Sequence, residues 1–444
     1  MGEPNSVRAH RLGRGTAGAA DAGTDALIAD LSRSHWWAAV ASVTRLVGDL
    51  ATAEDAVQDA CLAAVQQWPV QGVPANPRAW LISVARHKAL DAVRRDARRG
   101  RRELVAAREA PTDGAGGPGT ADTDPPTGSV GTGAGTAADE LALIFMCCHP
   151  ALEPSVRVAL TLRAVCGLAT AEIAAVFLVP EATMAKRLTR AKRKIRDAGI
   201  ALRMPEPPAL AERLDAVLRV VYLVFTEGHK ASAGDTLVRA DLCDRAVELA
   251  RCLRTLLPDE PEVAGLLALL LLTDARRAAR VDPNGDLVLL EEQDRRLWRR
   301  DAIAEGEALL EAALRAGRPG PYQLHAAIAA CHSTAARADD TDWRQIALLY
   351  AELLRHEPSP VVEANRAVAV AMAGDLDAGL RILDSLGGQE RLRRWPALHL
   401  ARADLLRRAG RHAEAAQAYR AARGLGLTPA EQRFVERRLG RLGS

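Results

Sequence analysis

Apolar positions recur at helical spacing along most of this chain, and the clearest case lies between Leu168 and Arg196. Met184, Leu188, Ala191 and Ile195 fall at i, i+4, i+7 and i+11, which lays one apolar stripe along a helix. Lys186, Arg187, Arg190, Lys192, Arg193, Lys194 and Arg196 fill the remaining surface: seven cations in eleven residues, with no acid among them. Pro180 and Glu181 suit the first turn, because proline has no N–H to leave unpaired and an acid favours the positive end of the helix dipole. A shorter apolar helix precedes this one across a tight turn. The pattern predicts a helix-turn-helix whose second helix enters a DNA major groove.

Two further stripes lie upstream. In Arg78–Arg102, Trp80, Leu81, Val84, Ala85 and Leu90 form an apolar face, while Arg86, Lys88, Arg94, Arg95, Arg98 and Arg99 charge the other surface. Trp36, Trp37, Trp68 and Trp80 lie in the same module, and cations together with aromatic rings suit unpaired bases. The Ala53–Val65 helix is different. It sets Glu54, Asp55, Gln58 and Asp59 on a polar face, with Val57, Cys61, Leu62 and Val65 opposite. Acids repel DNA, so that face is expected to meet solvent or a protein.

The periodicity also divides the chain. Residues 1–23 read as a disordered N-terminus, 24–107 as a first helical module, and 139–203 as the helix-turn-helix module. Between the modules, 108–138 reads as a flexible linker. Its core, Ala110–Ala138, has 29 residues with no Lys or Arg. As a coil it spans ~30 Å on average. Beyond the proline-rich joint at Met204–Pro208, residues 208–318 predict a helical domain and 319–444 helical repeats. Ala364–Leu383 can be laid on Leu400–Tyr419, with Gly374 on Gly410 and a period of 36, resembling tetratricopeptide repeats. The fold class is therefore all-α. Aromatics at 3% and an abundance of Ala, Leu and Arg favour helix in the same direction.

Taken in order, AEDAVQDA, PRAWLISVARHKALDAVRR, the linker and TMAKRLTRAKRKI resemble the extracytoplasmic-function class of bacterial RNA polymerase sigma factors. The resemblance covers about Asp25–Ala201. Later stretches, such as VYLVFTEGHKASAG, GLLALLLLTDARRAAR and LLEEQDRRLW, together with CCHPAL, resemble the subgroup with a long C-terminal helical-repeat extension. The resemblance implies that Asp55, Gln58 and Asp59 dock on core RNA polymerase. It implies that Trp80, Arg86, His87, Lys88, Asp91, Arg94 and Arg95 help to open and read the minus-ten element, with a pocket for a flipped base in the loop between Trp68 and Pro77. It assigns Glu181, Thr183, Lys186, Arg187 and Arg190 to the minus-thirty-five element. The implied partners are core polymerase, double-stranded promoter DNA and its melted non-template strand, with a further protein partner possible for the repeats.

Net charge is only +3, so the total does not announce a nucleic-acid protein, but its distribution does. Seven cysteines without a regular framework fit reduced thiols in a cytoplasm. The longest apolar run, Val263–Leu272, is too short for a bilayer, so no membrane partner is expected. Cys147, Cys148 and His149 are poorly spaced for zinc, and Asp282, Asn284 and Asp286 read as a turn rather than a calcium loop. His325 and His332, seven apart on one face, read as core histidines. No metal, cofactor or enzymatic site is expected. The alternative reading is a helix-turn-helix regulator with a repeat-based sensor domain. It leaves the first basic module unused.

Overall fold

The computed structural model describes residues 36–108, 137–177, 179–230 and 238–442. The expected disordered segment 1–23 and almost all of the expected linker lie outside them. The described residues are helical, with no strand beyond one isolated bridge between Val281 and Leu287. They form two compact units that divide between Val217 and Leu218.

In the first unit, α1 (residues 36–47) buries Trp36, Trp37, Val40 and Val43. Asp49 then caps α2 (Leu50–Gln71), its carboxylate accepting from the Thr52 amide at 2.9 Å. Asn76 opens α3 (Pro77–Arg108) in the same way, accepting from the Ala79 amide at 3.0 Å. α2 and α3 pack as a pair, with the Trp68 and Trp80 rings edge-on at 5.3 Å.

The second module consists of α4 (Ala137–Cys147), α5 (Pro154–Ala164), α6 (Thr170–Val176) and α7 (Glu181–Asp197). Leu141 to Cys148 are all buried, which accounts for the unbroken apolar run there. Burial raises the thiol of Cys148 to about 12, so it is an inert packing group.

The two modules pack on one another. Gly167, at φ +70°, lets the chain turn after α5, and the Trp36 ring lies so close that a Cβ there would stand 3.1 Å from its Cγ. The Arg163 guanidinium lies 5.5 Å from the centre of the same ring. Arg45 pairs with Asp139, and Arg78 with Glu140 at 3.2 Å.

α8 (Pro207–His229) carries the division between the units, and the second unit is built around α10 (Pro261–Asp274), whose residues Val263 to Leu272 are all buried. The apolar run is thus a core helix, contacted by α9 (Ala240–Leu256), α11 (Arg300–Arg315) and α12 (Pro321–Thr334). No helix of the described residues is long and apolar enough to cross a membrane.

Residues 275–299, between α10 and α11, are irregular and contain three 3-10 turns. Asp282 turns the chain back there, its Oδ1 accepting from the amides of Asn284 and Asp286. Helical pairs follow: α13 (Trp343–His356) with α14 (Pro360–Met372), α14 with α15 (Leu376–Gly387), and, after the short α16 (Glu390–Arg393), α17 (Pro396–Arg408) with α18 (His412–Arg423). α19 (Pro429–Leu442) closes the unit. Gly374 and Gly410, aligned at a period of 36, each turn the chain at positive φ between paired helices. Glu291 pairs with Arg408, Glu292 with Arg438, and Asp286 with Arg433 and Arg437, which fastens the irregular segment to α17 and α19.

Candidate nucleic-acid interface

α7 carries the strongest local signal, and its register is the expected one. Met184, Leu188, Ala191 and Ile195 are all buried. Each fully buried side chain of leucine size is worth ~1.5–3 kcal/mol, so this stripe fixes the helix orientation. Glu181, Lys186, Arg187 and Arg190 are consequently exposed, and Thr183 is half-buried. α6 precedes α7 as the first helix of the motif, its start closed by Glu172 accepting from the Ala169 amide at 2.7 Å.

α3 presents the second basic face. Leu81, Ile82, Ala85 and Ala89 are buried. His87, Asp91, Arg94 and Arg95 are exposed, with Arg86 and Lys88 half-buried beside them. His87 Nδ1 lies 2.8 Å from the Ser83 carbonyl, and Asp91 stands 3.8 Å from Arg94, an exposed pair of little energetic weight.

The tryptophans depart from expectation. Trp36, Trp37 and Trp68 are core residues, 4–6% exposed, and only Trp80 remains half-buried. Their flat apolar area is used between helices, so three of the four rings cannot stack on a base. α2 also runs on to Gln71, which shortens the loop after Trp68 to residues 72–76.

α2 needs two corrections. Asp55, Gln58 and Asp59 are exposed as expected, but Leu62 (60% exposed) and Val65 (43%) share the outside of the helix with them. The buried face is made instead of Ala53, Ala56, Val57, Ala60, Ala63, Ala64 and Trp68. The exposed surface is therefore acidic and apolar together, the mixture of a protein-docking face.

Glu54 is not on the polar face at all; it is 1% exposed. Its Oε2 accepts from Lys192 Nζ at 2.7 Å and lies 3.4 Å from Arg163 Nε, while Oε1 has no hydrogen-bond partner. Arg196 stands 3.8 Å from Asp49 nearby. Lys192 of the basic helix is thus turned toward α2, while Arg196, beside Asp49, stays exposed.

Residues 35–99 match Sigma-70 region 2, residues 142–195 match Sigma-70 region 4, and residues 213–314 match a family of unknown function, DUF6596. An uncharacterized protein of Rhizobium meliloti (strain 1021) is 43% identical over 406 residues, 91% of this chain and 93% of that one. No solved structure matches the chain. The two sigma-70 regions coincide with the two helical modules that carry the basic faces. The chain belongs to the same family as the Rhizobium meliloti protein and, by its regions 2 and 4, is a sigma-70-type factor of the extracytoplasmic-function kind.

Proposed function

We propose that this factor binds core RNA polymerase and directs promoter recognition, DNA melting and initiation. The exposed face of α2, with Asp55, Gln58 and Asp59, docks on polymerase, and Leu62 and Val65 add apolar area to that contact. α3 works at the minus-ten element: Arg86, Lys88, Arg94 and Arg95 follow phosphates, while His87 and Asp91 face the same side. Trp80, set against Trp68, acts mainly as the support of that helix. Glu181, Thr183, Lys186, Arg187 and Arg190 of α7 read the minus-thirty-five element in the major groove. The extension regulates the factor, and its paired helices, which we read as tetratricopeptide-like, offer a surface for a protein partner.

The observation that carries this reading is the pairing of two exposed basic faces, α3 and α7, with a separate acidic and apolar face on α2. A lone duplex-binding regulator has no use for the third surface.

In vitro transcription with purified core polymerase on a promoter library tests it. Promoter-specific transcripts should appear with the protein and vanish for Arg187→Ala combined with Arg190→Ala. Duplex binding without polymerase and no transcripts would favour the conventional regulator. Truncation after Ala201 should change the output if the extension regulates.

A further inference from the structure

α3 runs on past its own core. Its buried positions end at Ala89, and from Val93 to Arg99 every residue is exposed, over nearly two turns of helix. No face is packed there, and even Val93 is 43% open. The helix nevertheless continues to Arg108, so the stretch from Val93 onward extends about 24 Å.

What this stretch carries is charge. Between Arg94 and Arg102 stand six arginines and one acid, Asp96. Arg94 faces Asp91 at 3.8 Å, while Arg95, Arg98 and Arg99 make no ion pair or hydrogen bond among the described residues. Arg94 and Arg98 stand at i and i+4, as do Arg95 and Arg99, and like charges at that spacing destabilise a helix. A segment polar on all sides has no packing to offset the repulsion. Anions laid along it remove the repulsion, which makes a row of phosphates its complement.

The surroundings select backbone over base edges. Neither Arg98 nor Arg99 is held by a neighbouring side chain. Reading a base edge needs a donor fixed in place, whereas a phosphate needs only positive charge within reach. Chain order selects the stretch of DNA. Trp80 to Arg95 of α3 serve the minus-ten element in the reading above, and the chain leaves the far end of the helix for the module assigned to the minus-thirty-five element. Arg98 and Arg99 thus lie past the minus-ten set, on the side that leads upstream, where the DNA is still paired.

We propose that Arg98 and Arg99 hold the phosphate backbone of the duplex between the two promoter elements, which makes the exposed end of α3 a third and sequence-independent DNA contact. The contact presupposes that the factor recognises promoters with core polymerase, as proposed above.

The test is a fluorescence anisotropy titration of the full chain, bound to core polymerase, with two probes cut from a promoter that it transcribes in vitro. One probe is duplex from the minus-thirty-five element to the upstream edge of the minus-ten element and continues as single non-template strand. The other is that single strand alone. Arg98→Ala combined with Arg99→Ala should weaken binding of the first probe at least tenfold at about 50 mM salt, and make its logarithmic salt dependence shallower by about 1.8, for two phosphates. The second probe should bind within about twofold of the parent. Arg98→Lys with Arg99→Lys should restore most of the binding, because a phosphate accepts a point charge. Both positions are exposed, so the unfolding midpoint should not move.

Unchanged affinity and slope in the alanine variant would overturn the proposal. So would an equal loss on both probes, which assigns the arginines to the melted strand, or a loss of affinity for polymerase without DNA, which assigns them to protein. No promoter-specific transcript from the parent would sink the promoter reading and this contact with it; a working parent beside an indifferent variant sinks this contact alone.

Discussion

Lys192 Nζ donates a 2.7 Å hydrogen bond to Glu54 Oε2 across 138 positions of sequence, joining the basic helix α7 to the buried side of α2. The carboxylate is almost wholly enclosed, and Arg163 is its second cation. Removing one member of a buried ion pair leaves the other without compensation, at a cost of ~3 kcal/mol. Glu54→Gln should therefore lower the stability of the first unit by that order. Urea unfolding followed by tryptophan fluorescence measures it, since Trp36 lies at the same interface. Lys192→Met should cost less, because Arg163 still faces the carboxylate. The reverse ranking would mean that Arg163, 3.4 Å away, contributes little.

Gly167 supports the same interface in another way. Its φ of +70° disfavours any side chain by ~1–2 kcal/mol, and a methyl group would also press on the Trp36 ring at 3.1 Å. Gly167→Ala should lower the unfolding midpoint and shift the near-ultraviolet tryptophan signal together. A shifted midpoint with an unchanged tryptophan signal would place the strain in the backbone alone.

The outward side of α2 should behave oppositely. Leu62 is 60% exposed, so Leu62→Lys ought to leave stability within about 0.5 kcal/mol. The same change, like Asp59→Ala, should weaken binding to core polymerase at least tenfold in a fluorescence anisotropy titration. Wild-type affinity in both variants would remove α2 as the docking surface.

Buried histidines make the second unit sensitive to acid, His229 and His332 most of all. Burial, reinforced by neighbouring arginines, lowers His229 to about 2 and His332 to about 4. Unfolded histidine takes up its proton near 6.5, while these remain neutral in the folded chain. The unfolded state thus binds more protons below 6.5, and the stability held above that pH is lost as pH falls toward 4. Each histidine contributes ~1.4 kcal/mol per pH unit in that window. Melting midpoints at pH 7, 6 and 5 should fall progressively, and His332→Phe should make the slope shallower without abolishing it, since His229 and the buried His325 are lowered as well. A flat profile would mean that these rings take up protons in the folded chain as readily as in the unfolded one.

What the sequence made legible was local. The register of α7 follows from the spacing of Met184, Leu188, Ala191 and Ile195, because large side chains recurring every turn leave one choice of buried face. α2 misleads for the complementary reason. Its buried face is mostly alanine, which carries little hydrophobic signal, so Leu62 and Val65 are read as the inside when alanines let helices approach more closely. Glu54 could not be placed from its neighbours, since the cations that enclose it come from α5 and α7. The tryptophans erred likewise: a ring beside arginines in sequence reads as a base platform, while Trp36 packs against Gly167 and Trp68 against Ala64. The residues proposed for DNA and polymerase contact were read from motif order; on α2, α3 and α7 most of them are exposed, with Trp80, Arg86, Lys88 and Thr183 half-buried.

The hold that Glu54 and Asp49 keep on α7 has an ionic consequence. Of the seven cations on that helix, Lys192 is held by the buried carboxylate of Glu54, while Arg196 stays exposed beside Asp49, which leaves six within reach of a phosphate backbone. Each phosphate neutralised on duplex DNA releases condensed counterions and steepens the logarithmic dependence of affinity on salt by about 0.9. A module held as it is here and one set free from α2 would therefore differ in that slope by nearly one. The salt dependence of promoter binding thereby counts, in displaced ions, whether regions 2 and 4 remain joined.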